Sequence, residues 1–142
     1  MLYLASDHAG YELKEKIKLH LLKTNVACED VGVFSKADES GCVKFAKALA
    51  AKVLEQNENK GILICGTGIC MSIAVNRFRG IRGALCFNKQ MAILSKQHNN
   101  ANVLIMGARV IKHGSAKKMV ELFLSTPFLG GKYQERMNQI DN

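Results

Sequence analysis

The sequence predicts an α/β protein built on a largely parallel sheet. Short apolar runs alternate along the chain with stretches of helical periodicity, and no segment is repeated. This alternation is typical of parallel strands joined by right-handed helical crossovers. The 142 residues, 48% of them hydrophobic, are enough for one core. We therefore expect a single domain over residues 1–142.

Five predicted strands are short runs, most of them rich in branched apolar residues that favour extended backbone. They are Leu2–Ala5, Val26–Val31, Ile62–Ile64, Ile81–Cys86 and Val103–Met106. Glu29 and Asp30 interrupt the second run, so we expect that strand near an edge of the sheet.

The predicted helices are recognised by apolar residues at helical spacing. The first carries Leu13, Ile17 and Leu21 on one face, after a cap at Ser6 or Asp7. The second, Cys42–Gln56, is expected to bury Val43, Ala46, Ala50, Val53 and Leu54. A third starts near Ile69, a fourth is Lys89–Gln97, a fifth contains Met119 and Phe123, and the last is Lys132–Ile140.

Composition excludes several classes of protein. No apolar run approaches the roughly 20 residues that span a bilayer, and the chain begins directly with a strand, so we expect a cytoplasmic protein with no membrane association. The net charge is +8, but the lysines are scattered and no Trp is present. A solvated helix surface is favoured over a nucleic-acid groove.

The cysteines and histidines indicate neither disulfides nor metal. The five cysteines are odd in number and lack Cys-x-x-Cys spacing, so reduced thiols are expected. The histidines show no His-Glu-x-x-His pattern. We expect no metal and no cofactor.

The stretch Ile62–Asn76 is the most informative part of the chain. A buried strand ends at Cys65, Gly66 and Gly68 allow a tight turn, and a helix follows. Such a turn aims unpaired N–H groups at one point and favours an anion there, although a close helix–strand contact is the commoner meaning of a Gly-x-Gly turn. The turn is neither a dinucleotide fingerprint nor a nucleotide P-loop, because Met71 replaces the third glycine and no Gly-Lys-Ser/Thr ending is present.

Other polar residues are predicted at the same edge of the sheet. Asp7 and His8 follow the first strand, and Arg109 follows the fifth, with His98 and Asn99 just before that strand. Ligand crevices of such sheets lie beyond the carboxyl ends of the strands. This placement favours a functional site over isolated helix caps.

Several segments together resemble the B-type ribose-5-phosphate isomerases, a family that includes galactose-6-phosphate isomerase subunits and allose-6-phosphate isomerase. The likeness covers essentially the whole chain. The segments are Ser6–Tyr11, Gly61–Ile69, Met71–Ala74, His98–Asn99, Ala101–Leu104, Gly107–Ile111 and Gly130–Gly131.

The resemblance implies a Rossmann-like three-layer sandwich and an aldose–ketose isomerase that needs no metal. It implies Cys65 as the base between C1 and C2, and His98 with Asp7 for ring opening. It further implies that Thr67 and the amides of the anion loop hold the enediolate, that the phosphate binds to basic side chains, and that Asn99 binds a hydroxyl. The loop residues are Gly66, Gly68, Ile69 and Cys70, and the phosphate ligands are His8, Arg109, Lys132 and Arg136.

The resemblance also implies a homodimer or dimer of dimers, with the C-terminal helix packing on a partner subunit. Three departures from the family pattern concern the substrate. Asp38–Cys42 stands where an Asp-Tyr-Pro-Asp-Tyr segment is usual, Cys70 replaces a glycine, and Lys132 replaces an arginine. A pentose phosphate, a hexose 6-phosphate and a non-catalytic sugar-phosphate binding module therefore stay open.

Overall fold

The computed structural model describes all residues, Met1–Asn142, and shows one five-stranded sheet between two helical layers. The strands are β1 (Leu2–Ser6), β2 (Cys28–Asp30), β3 (Lys60–Cys65), β4 (Gly83–Leu85) and β5 (Val103–Gly107). The helices are α1 (Tyr11–Lys23), α2 (Cys42–Val53), α3 (Ile69–Val75), α4 (Lys89–Gln97), α5 (His113–Ser125) and α6 (Lys132–Met137). A short 3₁₀ turn, His8–Gly10, precedes α1.

The strand order is β2-β1-β3-β5-β4, and every pair is parallel. The predicted α/β class, the parallel sheet and the edge position of β2 are confirmed. The strand order changes direction between β1 and β3. The chain first runs from β1 to β2 at one edge of the sheet, and it then returns to β3, which lies on the other side of β1. Ligands of open α/β sheets generally bind at such a switch point, and the residues after β1 and β3 lie there.

Each face of the sheet covers its own apolar core, as the alternation of strand side chains requires. Leu4, Ile62 and Leu104 pack against α1, α4 and α5 on one face. Ala5 and Leu63 pack against α2 and α3 on the other. The three-layer architecture follows directly from these two cores.

The buried face of α2 differs from the prediction. Ala46, Ala50 and Val53 are buried as expected, but Val43 is 48% and Leu54 is 44% exposed. Leu54 lies past the last helical residue, and Val43 borders an exposed cavity beside α3. Phe45 and Leu49 fill the core in their place.

The ends of several other elements also differ from the expected bounds. α2 ends at Val53 and α6 at Met137, each three residues before the predicted end, while α4 matches its predicted bounds. On α6, Tyr133 and Met137 are half-buried within their own chain. Packing of this helix on a partner subunit stays a prediction.

Candidate active site

The candidate site begins where β1 ends. The Asp7 N–H donates to the Ile64 carbonyl at 3.2 Å, and the Asp7 carboxylate accepts the Gly10 N–H at 3.1 Å, which caps the 3₁₀ turn. A Cβ at Gly10 would lie only 2.6 Å from the Ile64 carbonyl oxygen. Because glycine permits this approach, Asp7 and His8 lie against the end of β3.

The His8 side chain has an unused hydrogen-bonding atom. Its Nδ1 is buried and has no partner, although the residue as a whole is only half-buried. Buried polar atoms are nearly always hydrogen-bonded in folded proteins. The ring nitrogen therefore lacks the partner that such a buried atom normally has.

The loop after β3 surrounds the thiol of Cys65. Cys65 is only 4% exposed, and its Sγ accepts the Gly68 N–H at 3.1 Å. Gly68 can turn back in this way because its φ is +84°, a left-handed conformation that glycine adopts without strain. The Cys65 sulfur is thereby held against the turn, at the carboxyl end of β3.

The same turn holds Thr67 at the start of α3. The Thr67 Oγ1 accepts the Ile69 N–H at 3.2 Å, and Thr67 itself is exposed. Cys70 lies in the first turn of α3, where backbone N–H groups have no partner within the helix. An anionic oxygen in front of this loop would meet free donors.

Arg109 brings a positive charge to the loop. The Ala108 N–H donates to the Cys65 carbonyl at 2.8 Å, and the Arg109 N–H donates to the Gly66 carbonyl at 2.9 Å. A Cβ at Gly66 would lie 2.8 Å from Arg109 Nη1, so the guanidinium lies directly against this glycine. The Arg109 guanidinium and the backbone N–H donors of the loop together favour an anionic ligand.

A second group of predicted residues lies around Tyr133. The His98 imidazole stacks on the Tyr133 ring, with centroids 4.3 Å apart and planes 10° apart. Lys132 Nζ lies 5.2 Å and Arg136 Cζ lies 5.7 Å from the centroid of the same ring. Asn99 lines a neighbouring groove of about 400 Å³, which Met137 also borders.

The predicted residues therefore form two groups in one chain. The first comprises Asp7, His8, Cys65, Gly66, Thr67, Gly68, Ile69, Cys70 and Arg109, and the second comprises His98, Asn99, Lys132 and Arg136. No hydrogen bond or ion pair joins a side chain of the first group to one of the second.

Tyr133 is the residue that sequence reasoning missed. The signal for it was weak: an aromatic residue between Lys132 and Arg136 on a predicted helix. Nothing in the periodicity indicated that this ring would meet His98, which is 35 positions earlier in the chain.

The expectation of reduced thiols throughout is wrong. Cys42 and Cys70 form a disulfide, and their Cα atoms are 6.3 Å apart. The first residues of α2 and α3 lie side by side, a proximity that a sequence separation of 28 does not reveal. The disulfide ties the loop beside Cys65 to the start of α2.

The remaining thiols besides Cys65 fit a structural role. Burial raises the pKa of the Cys86 thiol to about 11 and also raises the pKa of the half-buried Cys28 thiol. Both stay protonated near neutral pH and are poor nucleophiles.

No helix combines the length and apolar character needed to cross a bilayer. No cluster of three or more His, Cys, Asp or Glu side chains is arranged to hold a metal ion.

The fold and the loop define an open α/β protein with a glycine-rich loop and a neighbouring arginine at its switch point, and comparison with known proteins gives its family. The sequence model described as Ribose/Galactose Isomerase matches residues 2–140. The chain belongs to this family, and the predicted resemblance is confirmed.

Individual relatives agree with that assignment. Ribose-5-phosphate isomerase B from Escherichia coli is 40% identical over 134 residues, which cover 94% of this chain and 89% of the relative. A ribose 5-phosphate isomerase from Thermotoga maritima superposes with a TM-score of 0.95 at 46% identity, covering 99% of this chain and 96% of that one. The Mycoplasma genitalium ribose-5-phosphate isomerase B with bound ribulose-5-phosphate gives a TM-score of 0.94 at 36% identity, covering 98% and 92%.

Proposed function

We propose that this chain interconverts ribose 5-phosphate and ribulose 5-phosphate by moving a proton between C1 and C2 through an enediolate. The observation that carries the proposal is the Cys65 sulfur at the end of β3, held by the Gly68 N–H inside an anion-favouring loop. Relatives of known structure that carry the name ribose 5-phosphate isomerase share this fold over nearly the whole chain.

In the proposed reaction the Cys65 thiolate removes the proton from one carbon and returns it to the other. The charge that develops on the enediolate oxygens meets Thr67 and the loop amides from Gly66 to Cys70. One well-placed donor of this kind lowers a barrier by roughly 3 kcal/mol. The Gly68 and Ile69 N–H groups donate to Cys65 Sγ and Thr67 Oγ1 within the chain, so these two donors would share their hydrogen bonds with the bound enediolate.

The substrate enters as a closed ring, which must open before C2 can be deprotonated. His98 is the acid–base group for that step, with Asp7 assisting. The phosphate is held by His8, Arg109, Lys132 and Arg136, and Asn99 binds a sugar hydroxyl. Binding of the remote phosphate then positions the reacting carbons against Cys65.

The active unit in this proposal is a homodimer or a dimer of dimers in the cytoplasm. Two observations support assembly. The two groups of site residues are not joined within one chain, and an exposed apolar surface lies beside the anion loop. That surface comprises Val43, Ile69 and Ile73, which are 48%, 54% and 59% exposed and border a cavity of about 660 Å³. Exposed apolar patches of this kind mark protein interfaces.

A hexose 6-phosphate is the second candidate substrate. The family description names galactose beside ribose, and Asp38–Cys42 departs from the segment that contacts the sugar in the pentose enzymes it resembles. A non-catalytic sugar-phosphate sensor is less well supported, because such a protein needs cations and loop amides but has no use for the base at Cys65.

A turnover assay tests the proposal directly. Purified protein is given ribose 5-phosphate, allose 6-phosphate or galactose 6-phosphate at equal concentrations, and ketose formation is followed. We expect the highest kcat/KM with ribose 5-phosphate. Preference for a hexose phosphate would move the substrate assignment to that sugar, and binding without turnover of any of the three would refute an isomerase.

A further inference from the structure

The stacked pair of His98 and Tyr133 ties the ring-opening group to the helix that carries two phosphate ligands. His98 is the C-cap residue that follows the last residue of α4, Gln97, and its own N–H donates to the Leu94 carbonyl at 2.9 Å. At this helix end the backbone of His98 is fixed, while its side chain has no hydrogen-bond partner within the chain. Stacking on Tyr133 is the contact that holds the imidazole plane.

A backbone hydrogen bond between the segment before α6 and the end of α4 places Tyr133 beside His98. The Leu129 N–H donates to the Gln97 carbonyl at 3.1 Å, so the segment before α6 is attached to the residue next to His98. Gly130 and Gly131 follow, with φ values of +68° and +56°, and turn the chain into α6. Tyr133 then lies one turn before Met137 on the half-buried face of the helix.

The ring also contacts both cations of α6. Lys132 and Arg136 approach it within the range of cation–π attraction, about 6 Å from the centroid. One aromatic ring therefore contacts His98, Lys132 and Arg136. An aliphatic side chain of similar size would fill the space but would not fix the plane of a stacked imidazole.

We infer that Tyr133 is a positioning residue that orients the His98 imidazole for opening the sugar ring. This inference rests on the proposed isomerisation. Acid–base transfer requires the imidazole nitrogen to lie within hydrogen-bond distance of the substrate oxygen, and misplacement by about 1 Å can reduce a rate on the order of 100-fold. The aromatic ring, rather than its hydroxyl, supplies the constraint.

The test separates ring opening from proton transfer at carbon. Ribulose 5-phosphate cannot form a furanose ring because its O5 carries the phosphate, so exchange of its C1 proton with D₂O needs the base but not ring opening. The exchange is followed by NMR, and net turnover of ribose 5-phosphate is measured in parallel. Tyr133→Leu should lower kcat for ribose 5-phosphate about 10- to 100-fold, with KM and C1 exchange within about twofold of wild type.

Three further variants make the result specific. Tyr133→Phe keeps the ring and should restore turnover to nearly the wild-type rate. His98→Asn should lose turnover while keeping C1 exchange, and Tyr133→Leu should add little further loss in that background, because both changes disable one group. Glu135→Gln, at an exposed position of α6, is the control on the same helix and should leave kcat unchanged.

Each alternative outcome has a distinct meaning. If wild-type protein neither turns over ribose 5-phosphate nor exchanges the C1 proton, the proposed function fails. If wild type is active and Tyr133→Leu matches it, or if turnover and exchange fall together, the positioning role is refuted. A rise in KM with unchanged kcat in Tyr133→Leu would mean that the ring positions Lys132 and Arg136 for phosphate binding instead. An equal loss of kcat in Tyr133→Phe would mean that the hydroxyl, and not the ring, positions His98.

Discussion

At the scale of single residues, the site depends on one sulfur and the few atoms around it. Cys65 ends the central strand, so its position is fixed by the sheet on one side and by the Gly68 turn on the other. Cys86 is buried as well, but it lies away from this turn, and burial raises the pKa of its thiol to about 11.

Replacing Cys65 should remove the chemistry and leave the fold. Cys65→Ala is expected to lower kcat about 10²- to 10⁴-fold, the usual contribution of a general base. Because the phosphate ligands are untouched, ribose 5-phosphate should still bind, as calorimetry can measure. Thermal unfolding with and without the sugar phosphate provides the control for folding. Retention of more than about a hundredth of wild-type activity would mean that another group is the base.

At the scale of elements, regular periodicity made most of the fold predictable. α4 was predicted with its observed bounds, and the buried side chains Leu13, Ile17 and Leu21 of α1 follow a strict helical spacing. The first group of site residues was also predictable, because parallel strands bring their carboxyl ends to one edge whatever connects them.

Other contacts could not be predicted because they depend on the distance between elements. The Cys42–Cys70 disulfide and the His98–Tyr133 stack each join two segments that are distant in the sequence. Nothing in the sequence of either segment indicates which other segment it contacts. Val43 has the same apolar character as the buried residues of α2, yet it borders a surface cavity because of where the neighbouring helix lies. Periodicity shows which face of a helix such a residue occupies, whereas the packing of neighbouring elements determines whether its side chain is buried.

The disulfide between α2 and α3 should stabilise the protein measurably. Closing a loop of this length in the unfolded chain corresponds to about 3.5 kcal/mol of free energy of unfolding. Cys42→Ser, which leaves the anion loop unsubstituted, should lose roughly that amount in urea denaturation, and wild type in excess dithiothreitol should behave like the variant. Thiol titration of denatured, unreduced wild type should count the three free cysteines, Cys28, Cys65 and Cys86. A count of five would show that the disulfide is absent.

A buried ion pair fixes the edge of the sheet beside α1. Lys14 is completely buried, and its Nζ donates to both oxygens of Asp30 at 2.6 Å and to the Val33 carbonyl at 2.6 Å. Lys18 Nζ donates to Asp30 at 2.7 Å. Burial alone would raise the pKa of the Asp30 carboxyl, but the hydrogen bonds from Lys14 and Lys18 outweigh it and hold the pKa below its usual value.

Removing the Asp30 charge should destabilise the protein strongly. Asp30→Asn leaves the buried Lys14 ammonium with only the partly exposed Glu15 carboxylate, 3.6 Å away, as a counter-ion. Removing one partner of a buried ion pair typically costs about 3–5 kcal/mol, and we expect a loss toward the lower end of that range. Because the folded-state pKa of Asp30 is depressed, its contribution is present above the ordinary carboxyl pKa and is lost as pH falls through the folded value. Urea denaturation across acidic pH should therefore show a smaller wild-type–variant difference at the lowest pH. A difference that does not change with pH would contradict this account of the pair.

At the scale of the whole molecule, the predicted site residues of one chain fall into two separate groups, which we propose are the two halves of a shared site. Asp7, Cys65 and Arg109 lie together at the switch point, whereas His98 and Arg136 lie together around Tyr133. The exposed apolar residues Ile69 and Ile73 lie beside the first half. A second copy that covers this surface would bring its own second half to the first, and a two-fold axis would then create two equal sites.

Complementation between inactive variants tests this arrangement. Cys65→Ala removes the base from the first half, and His98→Asn removes the ring-opening group from the second, so each homodimer should be almost inactive on ribose 5-phosphate. If sites are shared, a heterodimer of the two variants contains one site with both defects and one site with neither. Random pairing at equal amounts makes half of the dimers mixed, so about a quarter of wild-type activity should return.

The controls decide between sharing and independent sites. Co-expression of the two variants with different affinity tags allows heterodimers to be isolated, and these should reach about half of wild-type activity per dimer. Cys65→Ala paired with a second Cys65 substitution, Cys65→Ser, is the matched control, because both defects lie in the same half and pairing creates no intact site. If isolated heterodimers gain nothing over the inactive parents, each chain must hold a complete site. His98 would then have to reach Cys65 within its own subunit by a movement of α6 and the end of α4.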